Sequence, residues 1–169
     1  MNAATPPADR TPTANTPPAN TRCKEMVLPR ILIADDNQAN AELLEAYLAD
    51  VECELEFARD GEDTLLKTEQ FKPDLILLDV MMPKRSGFEV CQQLKSDPST
   101  SPIMVLMVTA LNELGDIERA VNAGTDDFLS KPVNRPELLK RVANMLRLKD
   151  VQDENERLRQ YIQRMDENS

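Results

Sequence analysis

The sequence contains no histidine. That absence excludes histidine metal sites and histidine general bases, and it means the chain cannot act as its own phosphohistidine donor. Cysteine is scarce. Cys23, Cys53 and Cys91 are odd in number, widely spaced and without a CxxC pair, which reads as reduced thiols in a cytoplasmic protein. No run approaches the ~20 apolar residues of a membrane span. The N-terminus lacks the apolar core of a signal peptide, so no membrane partner is expected. Positive charge is in deficit: 20 Lys and Arg stand against 30 Asp and Glu, for a net charge of −10, and the acid excess falls almost wholly within residues 30–147. A nucleic-acid surface needs clustered Lys and Arg, so no nucleic-acid partner is expected. There is no GxGxxG, and no GxxxxGK followed by Ser or Thr. Dinucleotide sites and P-loop nucleotide hydrolases are therefore not indicated.

What is present divides the chain into three parts. Residues 1–29 are rich in Pro, Thr, Ala and Asn, have no periodicity, and should form a disordered tail. Residues 30–147 have the length of one domain and alternate strand with helix. Strands are expected at 30–34, 53–58, 74–78, 103–108 and 127–130. Helices are expected at 38–49, from Gly61 to about 70, 86–96 and 112–123, and again after a cap at Asn134 with Pro136 in the first turn. The apolar faces read as Ala41, Leu44 and Leu48 in the first helix and Phe88, Cys91 and Leu94 in the third. In the fourth they read as Leu114, Ile117 and Val121, and in the fifth as Leu139, Val142 and Leu146. The run at 74–78 is continuously apolar, as a strand covered on both faces should be. Five βα units imply an α/β fold with a doubly wound parallel sheet and right-handed crossovers.

Residues 148–169 differ in kind. Leu148, Val151, Asn155, Leu158, Ile162 and Met165 alternate spacings of three and four, the a/d stripe of a coiled coil. Asn155 falls at an a position. Glu154 and Arg159 fall at g and the following e, an attractive pair between parallel strands. The competing reading is a helix that extends the domain's last one and packs on the domain.

Chemistry gathers at the ends of the strands. Asp35 and Asp36 follow the first, Asp79 the third, Thr109 the fourth and Lys131 the fifth. An open α/β sheet binds ligands at the carboxyl ends of its strands, so one fold brings these groups to one edge. Three acids suggest a divalent cation. A lysine with a hydroxyl suggests a phosphoryl group. Taken singly, each residue has an ordinary reading as a solvated acid, a cap, a strand end or a surface lysine. Their joint arrangement favours a site.

The chain resembles the receiver domain of bacterial two-component response regulators over residues 30–147. The likeness rests on ADD at 34–36, LLDVMMPKRSGFE at 77–89, VTA at 108–110 and LSKPV at 129–133, in this βα order. It implies a flavodoxin-like sheet of order 2-1-3-4-5. It implies that Asp79 accepts a phosphoryl group from a sensor histidine kinase or a phosphotransfer protein. It implies Mg²⁺ held by Asp36, Asp79 and the backbone carbonyl of Met81, with Asp35 acting mainly through water. Thr109 and Lys131 would contact the phosphoryl oxygens, and Phe128 takes the place of the switch aromatic that moves with Thr109. Gly87 would allow close backbone approach, and Pro132 would set the turn after Lys131. Such a domain is not an enzyme beyond promoting its own phosphorylation and dephosphorylation. Output would run through protein contacts with a downstream partner or through a homodimer. The alternative is the receiver portion of a longer cyclic-di-GMP synthase or phosphodiesterase. A haloacid-dehalogenase-type phosphatase would need a second Asp where Met81 stands.

In this family the residues two past the acceptor and two past the threonine flank the path of the attacking water. Here they are Met81 and Leu111, and neither can orient water or take a proton. Slow self-dephosphorylation is expected. Replacing Met81 with Asn and Leu111 with Glu should accelerate loss of phosphate. Decay of labelled protein tests this, and an unchanged or slower rate in the double variant would show that these side chains do not control it.

Overall fold

The computed structural model describes residues 27–110 and 114–167. The tail expected to be disordered lies outside them up to position 26, as do Leu111 and the expected first residues of the fourth helix. Ten elements alternate: β1 (Arg30–Ala34), α1 (Gln38–Tyr47), β2 (Glu54–Ala58), α2 (Gly61–Phe71), β3 (Leu75–Leu78), α3 (Gly87–Ser96), β4 (Met104–Thr109), α4 (Leu114–Asn122), β5 (Asp127–Ser130) and α5 (Arg135–Glu167). All strand pairs are parallel, in the order β2-β1-β3-β4-β5.

Alternation along the strands builds two core layers. Leu32, Ala34, Ile76, Leu78, Val105 and Met107 face Phe88, Cys91 and Leu94 of α3 and Ala120 and Ala123 at the end of α4. Ile31, Ile33, Leu75, Leu77, Leu106 and Val108 face Ala41 and Leu44 of α1 and Leu138, Val142 and Met145 of α5. The expected faces of α1 and α3 are the ones observed. Local chemistry starts the helices where the sequence suggests. Asn37 Oδ1 accepts the amides of Ala39 and Asn40, Asp60 caps α2, Ser86 and Glu89 form a reciprocal capping box, and Asn134 accepts the Glu137 amide. Gly124, at φ 85°, follows α4 in the left-handed region. The Cys91 thiol donates to the Ala123 carbonyl at 3.3 Å, joining α3 to α4, and burial pushes its pKa up to about 11.

Two helical faces differ from expectation. In α5 the side chains driven fully inside are Leu138, Val142 and Met145, while Leu139 and Leu146 only flank them. The apolar arc of this helix is wide, and its neighbours α1 and β4 select the deeper edge. At α4 the domain takes Ala120 and, just past the helix end, Ala123, and the larger Ile117 and Val121 face solvent, Val121 at 65% exposure. Small residues let α4 lie close on the sheet.

α5 runs for 33 residues without a break, roughly 50 Å at the helical rise. Its buried residues end at Met145. Beyond them Leu148, Val151, Leu158 and Ile162 are each about half exposed (49–56%). The adjoining polar side of the extension, with Gln152, Glu156, Arg159 and Gln163, borders a groove with Ser101 and Pro102 that Asn155 of the stripe also lines. The apolar members of the stripe are therefore left largely open to solvent.

The reassigned faces carry a stability prediction. Leu138→Ala should lower the unfolding free energy by about 2–5 kcal/mol, as for other buried leucines, whereas Val121→Ala should change it by less than about 0.5 kcal/mol. Urea unfolding of both variants checks this. Equal costs would put the α4 face back in the core.

Candidate functional site

Every strand points its carboxyl end to one edge of the sheet, and the five sequence-selected residues meet there. Asp35 leaves β1 with its amide bonded to the Ala58 carbonyl. Asp79 leaves β3 with its amide on the Ala34 carbonyl, and Lys131 leaves β5 with its amide on the Thr109 carbonyl. These backbone bonds set the bases of the side chains. Asp35 and Asp79 are buried, at 5% and 6% exposure, while Asp36 is open to solvent. One carboxylate oxygen from each of the three lies within 4.8 Å of the others, a cluster of a size that can hold a metal ion. The Lys131 ammonium sits between the two buried acids, 3.1 Å from Asp35 Oδ2 and 3.0 Å from Asp79 Oδ2. The other oxygens are also engaged. Asp35 Oδ1 accepts the Asn37 amide at 2.9 Å, and Asp79 Oδ1 accepts the Met81 amide at 3.2 Å.

Thr109 is fully buried at the end of β4, and its hydroxyl has no hydrogen-bond partner among the described residues. A buried hydroxyl without a partner is costly, so it points to a ligand that completes it. Met81 turns its side chain to solvent. Phe128 is half-buried on β5 and packs against the layer formed with α3 and α4. Gly87 lies so close to the loop after β3 that a Cβ there would fall 2.3 Å from the Asp79 carbonyl oxygen, which accounts for glycine at that position. The Lys131–Pro132 peptide is cis.

Sequence reasoning missed Asn37, which both caps α1 and secures Asp35. The Asp-Asp-Asn run before a helical period could have signalled it. It also took Gly61 only as the start of a helix. The true neighbour of Gly61 is Arg85, far along the chain, and no local signal marks that contact.

Desolvation raises the Asp79 pKa above the usual carboxylate range, with the Asp35 charge adding to it, against the opposing hydrogen bond and charge of Lys131 and the Met81 amide. Burial disfavours the charged form of Lys131, but its hydrogen bonds and charge interactions with Asp79 and Asp35 outweigh that and raise its pKa.

A five-stranded parallel sheet of this order, with acids after β1 and β3, a hydroxyl ending β4 and a lysine after β5, defines a signalling receiver. Residues 31–143 match the response regulator receiver domain model, and the chain belongs to that family. It is 46% identical over 125 residues to the response regulator PleD of Caulobacter vibrioides, covering 74% of this chain and 28% of that one. It is 42% identical over 123 residues to the DNA-binding dual master transcriptional regulator RpaA of Synechocystis, covering 73% and 51%. It thus spans about half the length, or less, of these curated relatives. A CheY-like receiver domain protein from Methanospirillum hungatei superposes with a TM-score of 0.69 at 29% identity, covering 74% of this chain and 98% of that one. Receiver domains of response regulators are phosphorylated by histidine kinases.

The raised Asp79 pKa has a definite sign in stability. Between the ordinary carboxylate pKa and the raised one, the native state binds more protons than the unfolded state, so stability falls as pH rises through that window. Lys131 acts on the other limb: its contribution is complete below the ordinary lysine pKa and is lost as pH rises through the raised one. Without divalent cations, melting temperature should therefore decline from about pH 4 upward more steeply in the wild type than in Asp79→Asn. Parallel curves would contradict the shift.

Proposed function

We propose that this chain is a phosphorylation-controlled signalling receiver whose acceptor is Asp79. The observation that carries the reading is the pairing of a buried Thr109 hydroxyl without a partner and a Lys131 ammonium 3.0 Å from the Asp79 carboxylate. An Asp79 oxygen attacks the phosphorus of a phosphohistidine on a sensor kinase or phosphotransfer protein. The P–O bond forms as the P–N bond breaks, and the imidazole leaves with the electron pair. Lys131 neutralises one phosphoryl oxygen and the Thr109 hydroxyl donates to another. Phosphoryl transfer is mainly positioning and charge stabilisation, so these groups suffice.

Three acids facing one ammonium leave excess negative charge, a donor set that fits Mg²⁺. Asp36, Asp79 and the Met81 carbonyl would ligate it, and Asp35 would act mainly through water. When bound, the ion neutralises the acids and polarises the phosphoryl oxygens. Filling the Thr109 hydroxyl draws the end of β4 toward the phosphate, and Phe128, registered beside Met107 on the next strand, moves with it. A two-state element biased in this way changes the surface of α4, β5 and α5.

Output then runs through protein contact. The exposed stripe from Leu148 to Ile162 fits a parallel coiled coil with a second copy, Asn155 setting the register. A downstream protein, or an output domain in a longer protein such as a cyclic-di-GMP synthase or phosphodiesterase, would read that state. The long helix and the short coverage of the relatives suit either arrangement. No helix among the described residues is long and apolar enough to cross a membrane.

With Mg²⁺ and a small phosphodonor, the protein should acquire one acid-labile, hydroxylamine-sensitive phosphate, and Asp79→Asn should abolish it. Undiminished labelling of that variant would remove Asp79 as acceptor. Separately, Leu158→Glu with Ile162→Glu should turn a dimer into a folded monomer by light scattering. A wild type that is monomeric at high micromolar concentration would refute the coiled coil.

A further inference from the structure

The loop between β3 and α3 begins at the candidate acceptor and carries Met81. Of the four glycines, Gly61 and Gly87 are the two at which an added Cβ would approach another heavy atom within 3.0 Å, and both abut this loop. Gly87 holds it from inside: its amide donates to the Val80 carbonyl at 2.9 Å. Gly61 holds it from outside. A Cβ there would lie 2.4 Å from the Arg85 carbonyl oxygen and 2.5 Å from Arg85 Cβ. The Gly61 amide donates to the Pro83 carbonyl at 3.3 Å. Between these two contacts, the Lys84 ammonium lies 3.3 Å from Asp60 Oδ2 and 3.8 Å from Glu62 Oε2. Lys84 itself has φ 67°, a left-handed conformation that a non-glycine residue keeps only where its surroundings enforce it. Three consecutive loop residues are thus seated on the N-terminal turn of α2, one by a backbone bond, one by charge and one by close packing.

We propose that Gly61 is a positioning residue for phosphorylation at Asp79. The turn Asp60-Gly61-Glu62 acts as a clamp that fixes the loop, and through it the Met81 backbone, whose amide already meets Asp79 Oδ1 at 3.2 Å. A methyl group at position 61 cannot be absorbed by a side-chain rotation, because its first obstacle is the Arg85 backbone. The loop must shift. A misplacement of about 1 Å at a reacting centre can slow a reaction by roughly a hundredfold. The proposal rests on Asp79 being the phosphate acceptor.

The test uses the full chain with acetyl phosphate and Mg²⁺. Phosphorylation rate at saturating Mg²⁺, the Mg²⁺ concentration giving half that rate, and melting temperature are measured for wild type, Gly61→Ala, Lys84→Asn and Gly115→Ala. Asparagine tolerates the left-handed region, so Lys84→Asn removes the charge anchor while keeping the backbone path. A Cβ at Gly115 meets nothing within 4 Å, so Gly115→Ala should react at the wild-type rate. Folded Gly61→Ala should react about tenfold or more slowly and require more Mg²⁺, with Lys84→Asn displaced in the same direction by a smaller factor. A merely structural glycine would lower the melting temperature and leave the rate and Mg²⁺ requirement of the folded protein unchanged. That result overturns the proposal. Should Gly61→Ala fail to fold, Lys84→Asn decides alone, and a wild-type rate in it overturns the clamp. Absence of label on the wild type defeats the acceptor assignment and the clamp together. Label on the wild type with equal rates in the variants defeats the clamp only.

Discussion

Two carboxylates are buried within reach of one ammonium, and the rest of the site depends on that arrangement. Asp35 and Asp79 are almost entirely removed from water, where like charges at short range would be strongly unfavourable. Lys131 touches both. The parallel sheet, in which β1, β3 and β5 end at the same edge, delivers the three groups from distant points in the chain. The fold supplies coincidence of strand ends, and the lysine makes the coincidence tolerable. Under the proposed function, a phosphoryl group on Asp79 or a cation among the acids would compete for the contacts that hold this bridge.

Most of the architecture was legible because the strands announce themselves. β3 and β4 are unbroken apolar runs, and only a sheet covered on both faces accommodates them. The five polar residues were legible because each sits at the end of such a run, so fold and site came from one pattern. The helical faces were less so. Leu138 and Leu139, or Met145 and Leu146, are adjacent and equally apolar, and only the position of neighbouring elements selects which goes deeper. In α4, size misleads: Ile117 and Val121 are in phase, yet the close approach of helix to sheet favours Ala120 and Ala123. The contact between Gly61 and Arg85 was invisible for another reason. It joins segments on different βα units and leaves no periodicity.

The buried Thr109 hydroxyl and the left-handed Lys84 are two places where local rules are broken, as they are also at Lys72, left-handed where α2 ends, and at the partnerless Arg141 Nε of α5. The first leaves a polar atom without a partner, and the second bends a side-chain-bearing residue into a glycine conformation. Such departures are expected where a chain is arranged for chemistry rather than for stability. Thr109 and Lys84 lie around Asp79, on opposite flanks, whereas β1, β3 and β4 beneath it are buried and almost wholly apolar.

α5 changes the side it presents as it leaves the domain. From Leu138 through Val142 to Met145 its apolar residues look inward. The next two steps, to Leu148 and Val151, are three residues each, short of the helical repeat, so the stripe winds around the helix axis before the regular alternation resumes. The inward and outward faces are therefore parts of a single rigid rod, with no hinge between them. Such a rod has the geometry of a pointer. Its base is seated on the sheet, and the roughly 20 residues beyond it extend roughly 30 Å. A reorientation of about 10° at the base, small enough to be absorbed by side-chain repacking, would carry the tip about 5 Å, one full helical turn.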